Sequence, residues 1–313
     1  PIAIVGYVVQ MAAVPALALA GSWPAAAMLI LLERIGKATR NPPKDVMLSH
    51  AGREIGVGWA FGLHEALDQL GALAGPLVIA LVLLLQNDYR LAFASLAVPA
   101  AITLVVLALA RLQYPHPEEL EGRPVDVRTE GLPRTFWLYL AAASLVAAGF
   151  ADFPLIAFHL QQAAVVAAPV VPVLYAVAMG VGGLGALVLG RMFDRTGIRI
   201  LVPLTVVSAA YAPLAFLGGP AAAALGIVLW GVGLGVHESI VPAAVALMAP
   251  VHRRASAYGL FTAAFGISWF VGSALMGLLY DVAFPVLIAF AVVAELAAVP
   301  LLLRVRSLMA APA

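Results

Sequence analysis

Long apolar stretches, separated by short clusters of proline, glycine and charged residues, dominate this chain of 313 residues. A hydrocarbon layer about 30 Å thick is crossed by roughly 20 apolar residues that rise about 1.5 Å each in a helix. Breaks in hydropathy predict ten such helices, over residues 3–20, 23–48, 56–85, 90–111, 135–159, 170–191, 199–218, 221–248, 255–280 and 284–304. The pattern therefore predicts an all-α polytopic membrane protein.

Composition supports this fold class and excludes several kinds of chemistry. Apolar residues make up 64% of the chain and charged residues 11%, against roughly 45–50% and about 25% in an ordinary soluble domain. The absence of cysteine excludes disulfides, thiol catalysis and cysteine-ligated metals. The histidines lack metal-binding spacing and no G-x-S-x-G motif is present, so we expect no cofactor, no metal and no enzymatic activity.

The distribution of positive charge predicts the orientation in the membrane. One long polar segment, residues 113–135, separates four predicted spans from six. Of the 17 lysine and arginine residues, thirteen fall on the side of this linker and of the C-terminus, and Arg90 alone falls on the other side. The last three, Arg34, Lys37 and Arg40, lie within a span. Because positive residues accumulate on the cytoplasmic side, we expect the linker and the C-terminus to be cytoplasmic, in the cell membrane.

An internal repeat indicates two related halves. Residues 24–27 match residues 220–223, residues 61–63 match residues 258–260, and Gly75 matches Gly272, all 196 or 197 positions apart. Two six-helix halves explain this register, and they predict domains at 1–112 and 136–313 joined by the linker. Pro1 then aligns with Gly197, so we expect about ten of twelve helices here, without the first two of the first half.

Two motifs carry a resemblance to a known family. Residues 190–199 read GRMFDRTGIR, which resembles the loop signature G-x-x-x-D-R-x-G-x-R/K of the major facilitator superfamily, here at Gly190, Asp194, Arg195, Gly197 and Arg199. Gly71, Gly75 and Pro76 are similar to the G-x-x-x-G-P motif of the family's helix 5, which is often associated with exporters. The resemblance implies a two-half helical bundle, with Asp194 and Arg195 capping and pairing helix ends to hold one conformation.

The resemblance also implies a secondary transporter that works by alternating access with a site near the midplane. We expect proton-coupled export of a small amphiphilic compound. Uptake of an organic anion and a non-transporting membrane sensor on the same scaffold are the alternatives. The expected partners are a small-molecule substrate, membrane lipid and protons, with no nucleic acid, and the expected state is a monomer.

Charged side chains at membrane depth are the candidates for the substrate and proton cavity, because such residues are costly unless they are paired or face water. The repeat aligns residues 33–45 with an apolar helix, so we expect this segment to be helical. The candidates in the first half are Glu33, Arg34, Lys37, Arg40, His64, Glu65 and Asp68, and those in the second half are Asp152, His237 and Glu238. The alternative role for the first-half set is a static ion-pair network. Glu295, in the middle of the last span, requires either a proton or a hidden partner.

Overall fold

The computed structural model of the chain describes residues 2–113, 131–167 and 170–310. Fourteen α-helices are found in these ranges: α1 Ile2–Ala16, α2 Trp23–Ile55, α3 Val57–Gln86, α4 Tyr89–Ser95, α5 Ala97–Gln113, α6 Arg134–Gly149, α7 Phe153–Gln162, α8 Val170–Thr196, α9 Leu201–Ala209, α10 Tyr211–Leu217, α11 Pro220–Gly235, α12 Val241–Met248, α13 Arg254–Val282 and α14 Phe284–Ala310. The described residues contain no strand. The predicted all-α fold is confirmed, and most of the predicted linker lies outside the described residues.

Eight stretches of the described helices are long and apolar enough to cross a membrane. One of them, Val170–Leu217, has 48 residues and holds two of the predicted spans. Helix α2 is not one of these eight stretches because it carries several charged residues, although its length of 33 residues is sufficient to cross a membrane. All ten predicted spans therefore lie on helices, and residues 33–45 are helical as expected.

The described residues form two compact units. The first contains residues 1–47 and 71–126, and the second contains residues 48–70 and 127–313, each within the described ranges. The end of α2 and the beginning of α3 thus pack as part of the second unit.

In the first unit, α1 and α2 approach each other so closely that their contact depends on two glycines. A Cβ atom on Gly6 would lie 2.8 Å from the backbone nitrogen of Arg40, and one on Gly36 would lie 2.6 Å from that of Gln10. Small residues permit this kind of helix contact in membranes, where dispersion contacts replace the hydrophobic effect between helices. Helix α1 also packs against α4 and α5.

The second unit is organised around a helix break between α6 and α7. The Tyr211 hydroxyl accepts a hydrogen bond from the Ala151 amide at 2.6 Å and donates one to the Gly149 carbonyl at 2.9 Å. Trp230 Nε1 donates to the Ala151 carbonyl at 2.8 Å. These bonds satisfy backbone groups that the break removes from the helix, which is required where water is absent. The ring of Phe150 stacks on that of Trp230 at 5.5 Å in the same core.

Candidate functional site

A polar network joins α1 to α2 inside the first unit. Gln10 Nε2 donates to Glu33 Oε1 at 3.0 Å, and the Gln10 amide oxygen accepts a hydrogen bond from Arg40 Nε. Arg40 is 6% exposed, donates to the Tyr7 hydroxyl at 3.1 Å and lies 4.7 Å from the centre of that ring. Glu33 also pairs with Arg34 at 3.3 Å, but the Arg34 side chain is 69% exposed. The structure thus brings three of the predicted residues together through Gln10, which sequence reasoning missed.

The positive charges of α2 outnumber its nearby carboxylates. Lys37 is partly exposed and has no hydrogen bond or ion pair with any residue that the structure describes. Lys44 pairs with Asp45 at 3.2 Å, and Glu33 contributes the single carboxylate between residues 23 and 44. Within this stretch Arg34, Lys37 and Arg40 therefore exceed Glu33 by two positive charges.

The histidine and the two acidic candidates of α3 have contacts within their own helix. His64 Nε2 lies 3.7 Å from Asp68 Oδ2, a spacing of one helical turn. The Glu65 carboxylate is buried and accepts a hydrogen bond from Gln69 Nε2. These three predicted residues belong to the second unit, whereas Glu33, Arg34, Lys37 and Arg40 belong to the first.

The candidates from the later helices differ in burial and lie on two segments of the chain. Asp152 precedes α7, partly exposed and without a side-chain capping bond. His237 and Glu238 lie in a π-helical turn, Val236–Ile240, between α11 and α12. His237 is buried with its ring centre 4.3 Å from that of Phe150, whereas Glu238 is exposed. Single π-turns in α-helices are frequent at functional sites, which draws attention to His237.

The loop motif begins in the last turns of α8, and its aspartate caps another helix. Asp194 Oδ1 accepts a hydrogen bond from the Gly58 amide at 2.6 Å, and its Oδ2 accepts one from the Trp59 amide at 2.8 Å. These amides are in the first turn of α3, where backbone donors lack intrahelical acceptors and the helix dipole favours a negative charge. Asp194 thus acts as an N-terminal cap for a helix more than a hundred residues away in sequence.

Glycines allow the capping carboxylate to come this close. Gly56, between α2 and α3, has a φ of +102°, and a Cβ atom there would overlap the Asp194 carboxylate. A Cβ atom on Gly58 or Gly190 would overlap the backbone oxygen of the other residue. The backbones of α3 and α8 leave no room here for a Cβ atom, so the capping geometry depends on glycine at all three positions.

The remaining motif residues have simpler roles. Gly197 has a φ of +59°, a left-handed conformation that glycine adopts readily, at the turn that follows α8. The side chains of Arg195 and Arg199 are exposed. Arg191 instead contacts the capped turn, with its guanidinium 3.4 Å from the centre of the Trp59 ring. That pair was missed in the sequence because Trp59 lies far from the motif.

Two further contacts hold residues 48–70 in the second unit. Phe61 stacks on Tyr258 with ring centres 6.3 Å apart, and Arg254 donates to the Ser49 hydroxyl at 3.3 Å. Arg254 also donates to the Ala246 carbonyl at 3.0 Å. The beginning of α3 and the end of α2 are therefore attached to α8 and α13 by a cap, a ring stack and a buried arginine.

The helix 5 motif is less tightly packed. Pro76 lies inside α3, and Cβ atoms on Gly71 and Gly75 would meet no atom of the described residues within 4 Å. No group of three or more histidine, cysteine, aspartate or glutamate side chains among the described residues is placed to hold a metal ion.

Comparison with known proteins gives the family. A model described as Major Facilitator Superfamily matches residues 1–273. An uncharacterised protein of Mycobacterium tuberculosis is 38% identical over 316 residues, which cover 99% of this chain and 77% of that protein. An uncharacterised MFS-type transporter of Methanocaldococcus jannaschii is 27% identical over 143 residues, covering 45% of this chain and 35% of the relative.

Solved structures share the fold at low sequence identity. The Escherichia coli fucose:proton symporter has a TM-score of 0.71 at 13% identity, covering 97% of this chain and 82% of the symporter. A bacterial homologue of the iron transporter ferroportin scores 0.67 at 17% identity, covering 98% and 82%. The human organic anion transporter TETRAN scores 0.67 at 13% identity, covering 98% and 76%.

Proposed function

Because the chain belongs to the Major Facilitator Superfamily, a family of transporters and not of enzymes, we propose that it moves a small solute with an anionic group across the membrane by alternating access. The choice of an anion rests on Lys37. This residue has no partner among the described residues, and it lies on a helix with surplus positive charge. This agrees with the organic-anion alternative from the sequence.

The argument rests on the cost of embedded charge. An ionised group at membrane depth is stable only when a counter-charge, hydrogen bonds or water compensate it. Arg40 is bound by the neutral groups of Gln10 and Tyr7, and Glu33 is shared between Gln10 and Arg34. An anionic substrate beside Lys37 would supply the missing negative charge, and Arg40 would hold the surrounding helices in place.

A ligand-binding experiment on the purified, reconstituted protein tests this proposal. Small carboxylates, sulfonates and phosphate monoesters should raise its thermal stability more than their neutral amide or alcohol counterparts, since ligands that bind the folded state stabilise it. Lys37→Gln should remove the difference, whereas Arg90→Gln, which removes an exposed cation from the same unit, should keep it. Equal stabilisation by charged and neutral members of each pair would refute an anionic substrate.

Proton-coupled export of a small amphiphilic compound is the second candidate. Glu33 supports it, because protonation of this carboxylate would remove the negative charge that pairs with Arg34 and would weaken the hydrogen bond from Gln10. His64 and Asp68 form a second titratable pair. Efflux from vesicles with an imposed pH gradient should then be faster than efflux without one. The gradient should lose its effect in Glu33→Gln, and a gradient effect that persists in this variant would exclude Glu33 as the coupling group.

We also propose that the Asp194 cap controls the transport cycle. The cap attaches residues 48–70 to the loop motif, and this attachment has to break if the two parts separate during alternating access. The proposal follows the expectation that the motif holds one conformation of the transporter.

For topology we propose a monomer in the cell membrane, with the linker and C-terminus cytoplasmic and with halves at 1–112 and 136–313. The positive charge distribution supports this orientation. The absence of native cysteine makes it testable, since Ser307→Cys, near the end of α14, should react with an impermeant maleimide from the cytoplasmic side alone. Labelling from the outer side would reverse the proposed orientation.

A further inference from the structure

Glu295 is a fully buried carboxyl in the last helix, outside the candidate cavity. It is 0% exposed, and both carboxyl oxygens lack a hydrogen-bond partner among the described residues. Helix α14 packs mainly against α6 and α9. Contact with α6 is close, because a Cβ atom on Gly149 would lie 2.6 Å from the Ala291 oxygen and 3.1 Å from Glu295 Cγ.

No cation compensates this carboxyl in the described part of the chain. The titratable or charged groups on the elements packed against α14 are Arg134 and Tyr139 of α6, Tyr211 of α10, Arg254, Tyr258, Tyr280 and Asp281 of α13, and Arg199 in the turn before α9. None of them forms a hydrogen bond or an ion pair with Glu295. The Tyr211 hydroxyl already serves two backbone groups. An isolated buried carboxylate is so costly that the group takes up a proton instead.

Ser208 lines a small, mainly apolar cavity near Glu295. Its hydroxyl, from α9, is near the Glu295 carboxyl, and neither group has a hydrogen-bond partner among the described residues. Tyr139, Thr205 and His237 are the other polar residues in the cavity lining, and Leu302 of α14 is among the apolar ones. His237 Nδ1 is also without a partner among the described residues. Buried polar groups without protein partners are the usual binding sites of internal water.

We propose that Glu295 is a proton-binding site, neutral in the state described here, which exchanges its proton through Ser208 and the cavity beside His237 when α6, α9 and α14 loosen. In this step the carboxyl O–H bond breaks, the proton passes to cavity water and the carboxylate becomes hydrated. A bound metal ion is disfavoured, because hard divalent cations take about six or more oxygen ligands, whereas one hydroxyl adjoins this carboxyl. The link to transport rests on the proposed function, but proton binding itself does not.

Proton binding can be measured without any transport. A glutamate in the unfolded chain loses its proton at about pH 4.3, whereas the buried Glu295 should keep its proton to a higher pH. Between these two points the folding equilibrium constant should fall about tenfold per pH unit as the pH rises. Glu295→Gln, which mimics the neutral acid, should remove this component of the pH dependence. Asp281→Asn, which removes an exposed carboxyl from the same unit, should leave it unchanged. Parallel stability curves for wild type and Glu295→Gln would overturn the proposal.

Infrared spectroscopy gives a second readout. The wild type should show the C=O stretch of a protonated carboxylic acid at neutral pH, and this band should be missing in Glu295→Gln. In D2O the band should shift more slowly in Ser208→Ala than in wild type, because the hydroxyl carries the exchange. An unchanged exchange rate would exclude Ser208 as the route, and a band that persists in Glu295→Gln would exclude Glu295 as the acid.

Flux experiments separate coupling from a purely structural acid. With Glu295→Gln in vesicles, exchange of substrate between equal concentrations should continue, but accumulation driven by a pH gradient should be lost. If accumulation is unchanged while the stability curves differ, Glu295 binds a proton without exchanging it, and the exchange step fails. If the wild type moves no anionic solute, the proposed function fails, and the stability and infrared measurements still decide proton binding.

Discussion

Replacing Asp194 with asparagine tests the capping contact most directly. The aspartate carboxylate accepts hydrogen bonds from the amides of Gly58 and Trp59 at 2.6 and 2.8 Å. Asparagine has the same shape but offers one acceptor oxygen, and its NH2 group would face an amide N–H in place of the second oxygen. The substitution therefore removes the negative charge and one of two bonds without changing the volume of the side chain.

The size of the effect follows from the geometry. A hydrogen bond to a charged group contributes about 1.5–3 kcal/mol, and a charge at a helix N-terminus contributes about 0.3–1 kcal/mol. Asp194 is exposed, so solvent screening reduces the loss to slightly below the range of the hydrogen bond alone, at about 1.4 kcal/mol. That free energy corresponds to about a tenfold shift in the equilibrium between the capped and the uncapped arrangement.

A single-cysteine reporter can measure this shift, because the chain contains no native cysteine. Ala66 is 8% exposed in α3 and lies beside Gly183 of α8, so a thiol at position 66 is shielded while the two helices remain packed. We expect Ala66→Cys to react with a membrane-permeant maleimide about tenfold faster in the Asp194→Asn background, with transport reduced and membrane insertion intact.

Glu54→Gln is the matched control. It removes an exposed carboxylate near the same end of α3, and no hydrogen bond or ion pair of Glu54 is found among the described residues. Labelling at position 66 should therefore stay at the wild-type rate. If Asp194→Asn also leaves labelling and transport unchanged, Asp194 marks topology alone and the proposed conformational role is refuted.

Two predictions concern packing and are read from thermal unfolding in detergent. Gly62→Ala should destabilise the protein by roughly 1–3 kcal/mol, because its Cβ atom would overlap a backbone oxygen of α8. Gly71→Ala, in open space on the same helix, should be close to neutral. Equal effects of the two substitutions would show that the contact between α3 and α8 is not tight. Tyr211→Phe should lower the free energy of unfolding by about 1–3 kcal/mol, because it leaves the Ala151 amide and the Gly149 carbonyl without a hydrogen-bond partner. An unchanged unfolding temperature would mean that other groups satisfy them.

The helices could be predicted from the sequence because membrane thickness sets their length. The helix over residues 33–45 required the repeat as well, since hydropathy alone makes them look like a loop. Breaks within spans were harder to see. The interruption between α6 and α7 becomes stable through Tyr211 and Trp230, which follow it by about 60 and 80 residues, so no local pattern contains it.

The chemistry of the candidate site was less predictable than its residue types. The embedded charges of α2 were identified, but their partners Gln10 and Tyr7 depend on the rotation of α1 about its axis and on the close approach at Gly6 and Gly36. Gln10 was nevertheless a usable signal, because it is the one amide side chain in an otherwise apolar first helix and such polar groups usually bond across helices.

The repeat has a structural consequence that links sequence, packing and the proposed cycle. Helices α3 and α13 begin at Val57 and Arg254, which are equivalent positions in the repeat, and the equivalent rings of Phe61 and Tyr258 stack on each other. A contact between equivalent residues resembles the contact at a two-fold interface, where the same surface meets itself. Here both residues belong to one chain, so a substitution of Phe61 changes one partner and leaves Tyr258 intact. Next to this contact the Asp194 cap holds the beginning of α3 by two hydrogen bonds of moderate strength. A contact that is specific in geometry but worth only a few kcal/mol can hold one state of a transporter and still be broken in every cycle.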